Sequence, residues 1–136
     1  MKPSISKILL LIAFCLVSSF ASFAQSVGVR IMPADNAPSQ FKVTIVVENG
    51  SAQMTADNAP VIDKCTLVDG PEVNTTRNME IKGGQQVRVT TREYTYIYST
   101  EHPGRIVVPS ITIQVNGQPV ETPTKTFTLA PNGSIE

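Results

Sequence analysis

Apolar side chains in this chain return at every second position, and no segment after residue 24 repeats them at the three-and-four spacing of a helix. Val27, Val29 and Ile31 alternate with small or polar neighbours, as do Phe41, Val43, Ile45 and Val47. Tyr94, Tyr96 and Tyr98 follow the same rule, then Ile106 and Val108, then Ile111, Ile113 and Val115. A period of two puts one row of side chains on one face of an extended strand, which is the pattern of a half-buried sheet. Turn formers separate the rows: Asn49-Gly50, Gly70-Pro71, Gly83-Gly84, His102-Pro103-Gly104 and Asn116-Gly117. About seven short strands with regular turn signals predict an all-β, immunoglobulin-like antiparallel β-sandwich over residues 25–130. Residues 131–136 are expected as a flexible tail, and a small barrel is the alternative closure.

Finer expectations follow from the same pattern. Ser51–Pro60 is small and polar and reads as a loop, and Val61–Asp69 reads as a strand. Gly70-Pro71 ends that strand or puts it at a sheet edge, because proline cannot donate to a ladder. Glu72–Ile81 and Val87–Ser99 predict a hairpin around the five residues Lys82–Gln86. That loop length pairs Ile81 with Val87, Met79 with Val89, Glu80 with Arg88 and Thr76 with Arg92, collecting the apolar side chains on one face. Val87 and Val89 are odd-numbered while the three tyrosines are even, which predicts a bulge or a change of sheet between Thr90 and Glu93. His102-Pro103-Gly104 fits a type II turn. Asn116-Gly117 is the strongest hairpin signal, returning through Gln118–Glu121, and Lys125–Leu129 closes the domain. The pentapeptide Ala-Asp-Asn-Ala-Pro occurs at Ala34–Pro38 and again at Ala56–Pro60, and its unmatched flanks make it two similar turns.

The N-terminus carries the layout of a secretory signal. Lys2 and Lys7 precede an apolar run from Ile8 to Phe20, and Ser22-Phe23-Ala24 offers small residues for cleavage ahead of Gln25. The run is about 13 residues, short of the roughly 20 that a spanning helix needs. A lipid anchor on Cys15 is disfavoured by Phe14 before it and Leu16-Val17 after it, so residues 1–24 are expected to leave as a signal peptide. The remainder then has 11 − 2 = 9 basic residues against 11 acidic ones. A net charge of 9 − 11 = −2 gives no general attraction to nucleic acid or anionic lipid.

Reactive groups are sparse. Cys65 is left alone and cannot close an internal disulfide; among Val61, Ile62 and Leu67 it reads as a small core side chain. His102 is the single histidine; a catalytic triad would need it set beside a nucleophile and an acid, and its place at a turn before Pro103 reads as a turn residue. One cysteine and one histidine do not make a zinc site. Asp35, Asp57, Asp63 and Asp69 lack the spacing of a calcium loop. Gly83-Gly84 lies in a hairpin rather than ahead of a helix, so it is no phosphate loop. The row Tyr94, Tyr96 and Tyr98 reads as core with hydroxyls reaching the rim; an exposed sugar-binding platform is the alternative. The face around Arg88 and Arg92 reads as a solvated strand surface. No catalytic, cofactor or metal residues are expected, and no partner-binding residue is singled out.

From Ala59 to Leu129 the order of features resembles the N-terminal domain of the BatD (Bacteroides aerotolerance) family. The elements are Gly70-Pro71, Asn74-Thr75-Thr76, Gly83-Gly84, Arg92-Glu93-Tyr94-Thr95-Tyr96, Pro103-Gly104-Arg105-Ile106, Val108-Pro109-Ser110-Ile111, Val115-Asn116-Gly117 and a Thr-Pro-Thr close. The resemblance implies a bacterial, periplasm-facing domain of immunoglobulin-like type. Such proteins are usually longer, with further β domains and a C-terminal membrane helix. They are encoded beside membrane proteins with von Willebrand A domains and a MoxR-type ATPase, and are associated with oxygen or stress tolerance. The present sequence ends at Glu136 before any such helix and lacks the Gly-Glu usual ahead of Gln40-Phe41. The expectation is a non-enzymatic, exported module that binds envelope proteins, without cofactor or small-molecule substrate. Its contacts would be made through sandwich loops or through an edge strand at Glu72–Asn78. A carbohydrate-binding module is the alternative.

Overall fold

A computed structural model describes residues 26–35 and 37–136. The expected signal peptide and its cleavage after Ala24 lie outside the described residues. Eight strands follow in order: β1 Ser26–Pro33, β2 Gln40–Glu48, β3 Cys65–Lys82, β4 Gln85–Thr100, β5 Gly104–Val108, β6 Thr112–Val115, β7 Gln118–Glu121 and β8 Lys125–Leu129. They form a four-stranded antiparallel sheet in the order β1-β2-β4-β3 and two antiparallel pairs, β5-β8 and β6-β7. The pairs face the large sheet as the second layer of an all-β sandwich, and the open edges exclude a closed barrel.

Register explains the core. Phe41, Val43 and Ile45 of β2 lie opposite Tyr98, Tyr96 and Tyr94 of β4, and Val29 of β1 lies opposite Ile45. All these rings and branched chains therefore share one face, and all are buried with Ile106, Val108, Ile113, Val115, Phe127 and Leu129 from the other layer. Phe41 ties the layers together, stacked on Tyr98 at 5.6 Å between centroids and edge-on to Phe127 at 5.1 Å. The opposite face of the large sheet is polar. Arg30 reaches Glu93 at 3.1 Å there, and the Thr44 and Thr95 hydroxyls meet at 3.0 Å.

Several expectations need correction. The strand does not end at Gly70-Pro71: β3 starts only at Cys65, runs through this pair and continues to Lys82, with register shifts between Leu67 and Glu72. Proline is tolerated because β3 is the edge strand of its sheet. Gly70 is required there. Its φ is 121°, and a Cβ would fall 2.7 Å from the Thr95 carbonyl oxygen.

The hairpin turn is two residues, not five. Gly83 and Gly84 at φ 60° and 78° form a primed turn, pairing Lys82 with Gln85, Ile81 with Gln86, Glu80 with Val87, Met79 with Arg88, Asn78 with Val89 and Thr75 with Arg92. Hydrophobic pattern could not select this register, because Met79, Ile81 and Val87 are exposed and no core lies beneath them. β4 has no break between Thr90 and Glu93: its pairing with β2 and β3 is continuous there, the shifts lie in β3, and Val89 is buried outside the main core cluster.

Gly104, at φ 133°, already opens β5, so the chain bends at Glu101–His102 instead of making a type II turn. Residues 131–136 fold back rather than trailing. Thr128 and Glu136 exchange two backbone hydrogen bonds, and Ile135 packs on the core. Asn116 and Gly117, at φ 50° and 79°, form the expected two-residue hairpin turn joining Val115 to Gln118.

Candidate interaction surface

The tyrosine row is buried: Tyr94, Tyr96 and Tyr98 are each at most 4% exposed. Their hydroxyls do not meet solvent at a rim; they meet the loop of residues 51–62. The Ala52 N–H donates to Tyr94 Oη at 3.0 Å, Tyr96 Oη donates to the Thr55 carbonyl at 2.8 Å, and Tyr98 Oη donates to the Pro60 carbonyl at 2.6 Å. The loop thus runs along β4 in step with the row, and its backbone polar groups are satisfied where they enter the protein. This arrangement removes the sugar-platform alternative, which needs exposed rings. Burial pushes the Tyr96 phenol up to about 12 and raises that of Tyr98 too, where Tyr96 and Cys65 add to the effect.

Cys65 is half-buried and lines a shallow open depression with Lys64, Thr66, Ser99, Thr100, Glu101 and His102, a neighbourhood that sequence spacing did not reveal. Burial raises its thiol pKa, against a hydrogen bond with Thr100 that lowers it, so the thiol is less ionised than a free one. Asp35 lies 3.5 Å from Lys42, and Asp69 Oδ1 accepts the Gly70 N–H at 2.9 Å. No cluster of three metal-ligating side chains forms among the described residues. Arg92 is structural rather than part of a solvated face: its guanidinium donates to the Gly50 carbonyl at 2.6 Å.

One region stands outside the sandwich. β2 ends against β4 at the pair Glu48–Thr91, and Asn49 closes it by donating to the Thr90 carbonyl at 2.7 Å. Beyond that point, Asn78–Lys82 and Gln85–Val89 pair only with each other, as an arm of five residues per strand. At about 3.3 Å per residue it projects roughly 17 Å. Ile81 is 76% exposed and Met79 58%, whereas Val89 at the arm's root is buried; Val73, opposite Tyr94 in the four-stranded part, is 54% exposed.

The free edge of the arm can be read atom by atom. A two-residue primed turn makes its flanking residues a hydrogen-bonded pair. Lys82, Glu80, Asn78, Thr76 and Asn74 therefore turn their N–H and C=O groups toward β4. The Asn49–Thr90 bond agrees, because it aims the even-numbered groups of β4 at β2. Val73, Thr75, Arg77, Met79 and Ile81 turn theirs away from the sheet, which leaves an unbroken edge from Glu72 to Lys82. Such an edge is a template for a further strand.

The profile of the family described as BatD DUF11 like domain matches residues 36–129. No curated protein matches the chain, and no solved structure does. The residues that carry the likeness are scaffold: Gly70 approaches β4 closely, Gly83-Gly84 and Asn116-Gly117 turn hairpins, and Tyr94 and Tyr96 are core.

Proposed function

The chain belongs to the BatD family, and from that premise we propose that it is a non-enzymatic interaction module of the bacterial envelope. It is recognised through the free β3 edge and the arm that carries it. The observation behind this reading is the arm itself: a long, unpaired edge on which exposed Val73, Met79 and Ile81 stand between the charged side chains of Glu72, Arg77, Glu80 and Lys82. Strand addition supplies affinity through main-chain hydrogen bonds and specificity through alternate side chains. Export to the periplasm follows from the secretory layout of residues 1–24. Membrane proteins with von Willebrand A domains are the partners suggested by the family, and a role in oxygen or stress tolerance rests on the family alone.

Capture from envelope extract tests this, with the tagged protein as bait and a Thr75→Pro variant beside it. Thr75 directs its N–H away from β4, so proline there removes a donor from the free edge and leaves the internal ladder intact. The reading expects envelope proteins to be retained by the wild type and lost by the variant. Equal capture by both would overturn it.

A further inference from the structure

We infer that the occupant of the β3 edge is a second copy of this chain, paired antiparallel about a two-fold axis at Arg77; this rests on the edge being a recognition surface. The regular part of β3 is bounded on both sides. Register shifts end it before Glu72, and the Gly83-Gly84 turn ends it after Lys82. These eleven residues have Arg77 at their centre. Full overlap of two copies sets Glu72 against Lys82 of the other copy, Val73 against Ile81, Asn74 against Glu80, Thr75 against Met79 and Thr76 against Asn78.

Geometry permits this register. An antiparallel pair exchanges hydrogen bonds at every second residue, and both members of a bonded pair must direct their groups toward each other. Here Val73 with Ile81, Thr75 with Met79 and Arg77 with its own counterpart are all outward-directed, giving about ten main-chain hydrogen bonds across the axis. A shift by one residue would set outward groups against inward ones. A shift by two shortens the overlap and parts Glu72 from Lys82.

Side chains agree with the geometry. Glu72 and Lys82 of the other copy fall in a pair without hydrogen bonds, where side chains approach more closely, and symmetry makes this ion pair twice. Exposed Val73 meets exposed Ile81, also twice. A two-fold axis perpendicular to the sheet keeps the same faces together, so the stripes of Val73, Met79 and Ile81 merge on one side of an eight-stranded sheet. Two features oppose it: Lys82 lies 3.8 Å from Glu80 of its own chain, an exposed pair it must share or leave, and Arg77 stands opposite Arg77, where a neutral residue should tighten the pairing.

Sedimentation equilibrium of the protein purified as it accumulates in the cell provides the test. The wild type should dimerise with rising concentration, Thr75→Pro should remain monomeric with an unchanged circular dichroism spectrum, and Arg77→Thr should associate more tightly. Lys82→Glu should weaken the dimer about tenfold, since two attractive pairs become repulsive. Adding Glu72→Lys in the same chain should restore it, an outcome that only self-pairing in this register produces. A wild type that stays monomeric throughout, or a double reversal that fails to recover association, overturns the inference. In that event, envelope capture that still depends on Thr75 leaves the recognition edge standing with another occupant, whereas capture indifferent to Thr75 removes both.

Discussion

Tyr94, Tyr96 and Tyr98 alternate on one strand, and each buried ring carries a hydroxyl that must find a partner inside the protein. The loop backbone provides it, so the row organises the core and anchors residues 51–62 together. Tyr98→Phe would leave the Pro60 carbonyl without its donor, and an urea titration should show a loss of about 1–2 kcal/mol. Ionisation acts on the same contacts. An unfolded tyrosine ionises near 10, whereas Tyr96 holds its proton to about 12 in the folded protein. The folded state therefore binds more protons above that unfolded value. The tyrosine contribution is complete below about pH 10 and declines as pH rises through 12. Urea midpoints measured at about pH 9, 10 and 11 should fall over the last step, and less steeply in Tyr96→Phe. Gly70→Ala should be costlier than an ordinary edge substitution, by about 2 kcal/mol or more, because the new Cβ meets the Thr95 carbonyl and the φ of 121° is unfavourable for alanine. The burial of the tyrosines was legible from their spacing and from the absence of tryptophan. Their hydroxyl partners were not, because these lie about 40 residues away along the chain.

Strand identity was read well wherever one face is buried. Alternation at Phe41–Val47 and Tyr94–Tyr98 is enforced by the core, and Asn116-Gly117 carries its own turn geometry. The arm is the contrary case. Its register comes from two positive-φ glycines, whereas a register that gives Met79, Ile81, Val87 and Val89 one shared face lies one residue away. Gly83→Asn offers a direct check of this account. Asn-Gly is the favoured pair for a primed two-residue turn, and a less flexible unfolded chain should make the variant more stable by about 0.5 kcal/mol, with the Lys82–Gln85 cross-strand contact retained by NMR. Pro71 and the charged, Thr-rich stretch after it pointed to an edge strand. That the edge projects as an arm depends on β2 stopping at Glu48, a tertiary fact without a local signal.

In the whole molecule, a sandwich tied across its two layers by Phe41 carries an arm whose outer apolar side chains, Met79 and Ile81, stay exposed. Phe41→Ala should cost about 3–5 kcal/mol, read from the shift of the denaturant midpoint, since it removes the contacts with Tyr98 and Phe127 together. Ile81→Ser should leave stability within about 0.5 kcal/mol of the wild type while weakening association, because its side chain is largely exposed. This separation of stability from recognition is what an interaction module built on a rigid scaffold requires. The most direct measurement places a photo-activated cross-linker at Thr75 in living cells, with Val107 on the other sheet as the exposed control position. Discrete adducts from Thr75 to a second copy are expected, and none from Val107; adducts from Thr75 to an envelope protein alone would keep the edge as the recognition surface and replace its occupant. Adducts that form equally at both positions, or only at Val107, would contradict recognition through the β3 edge.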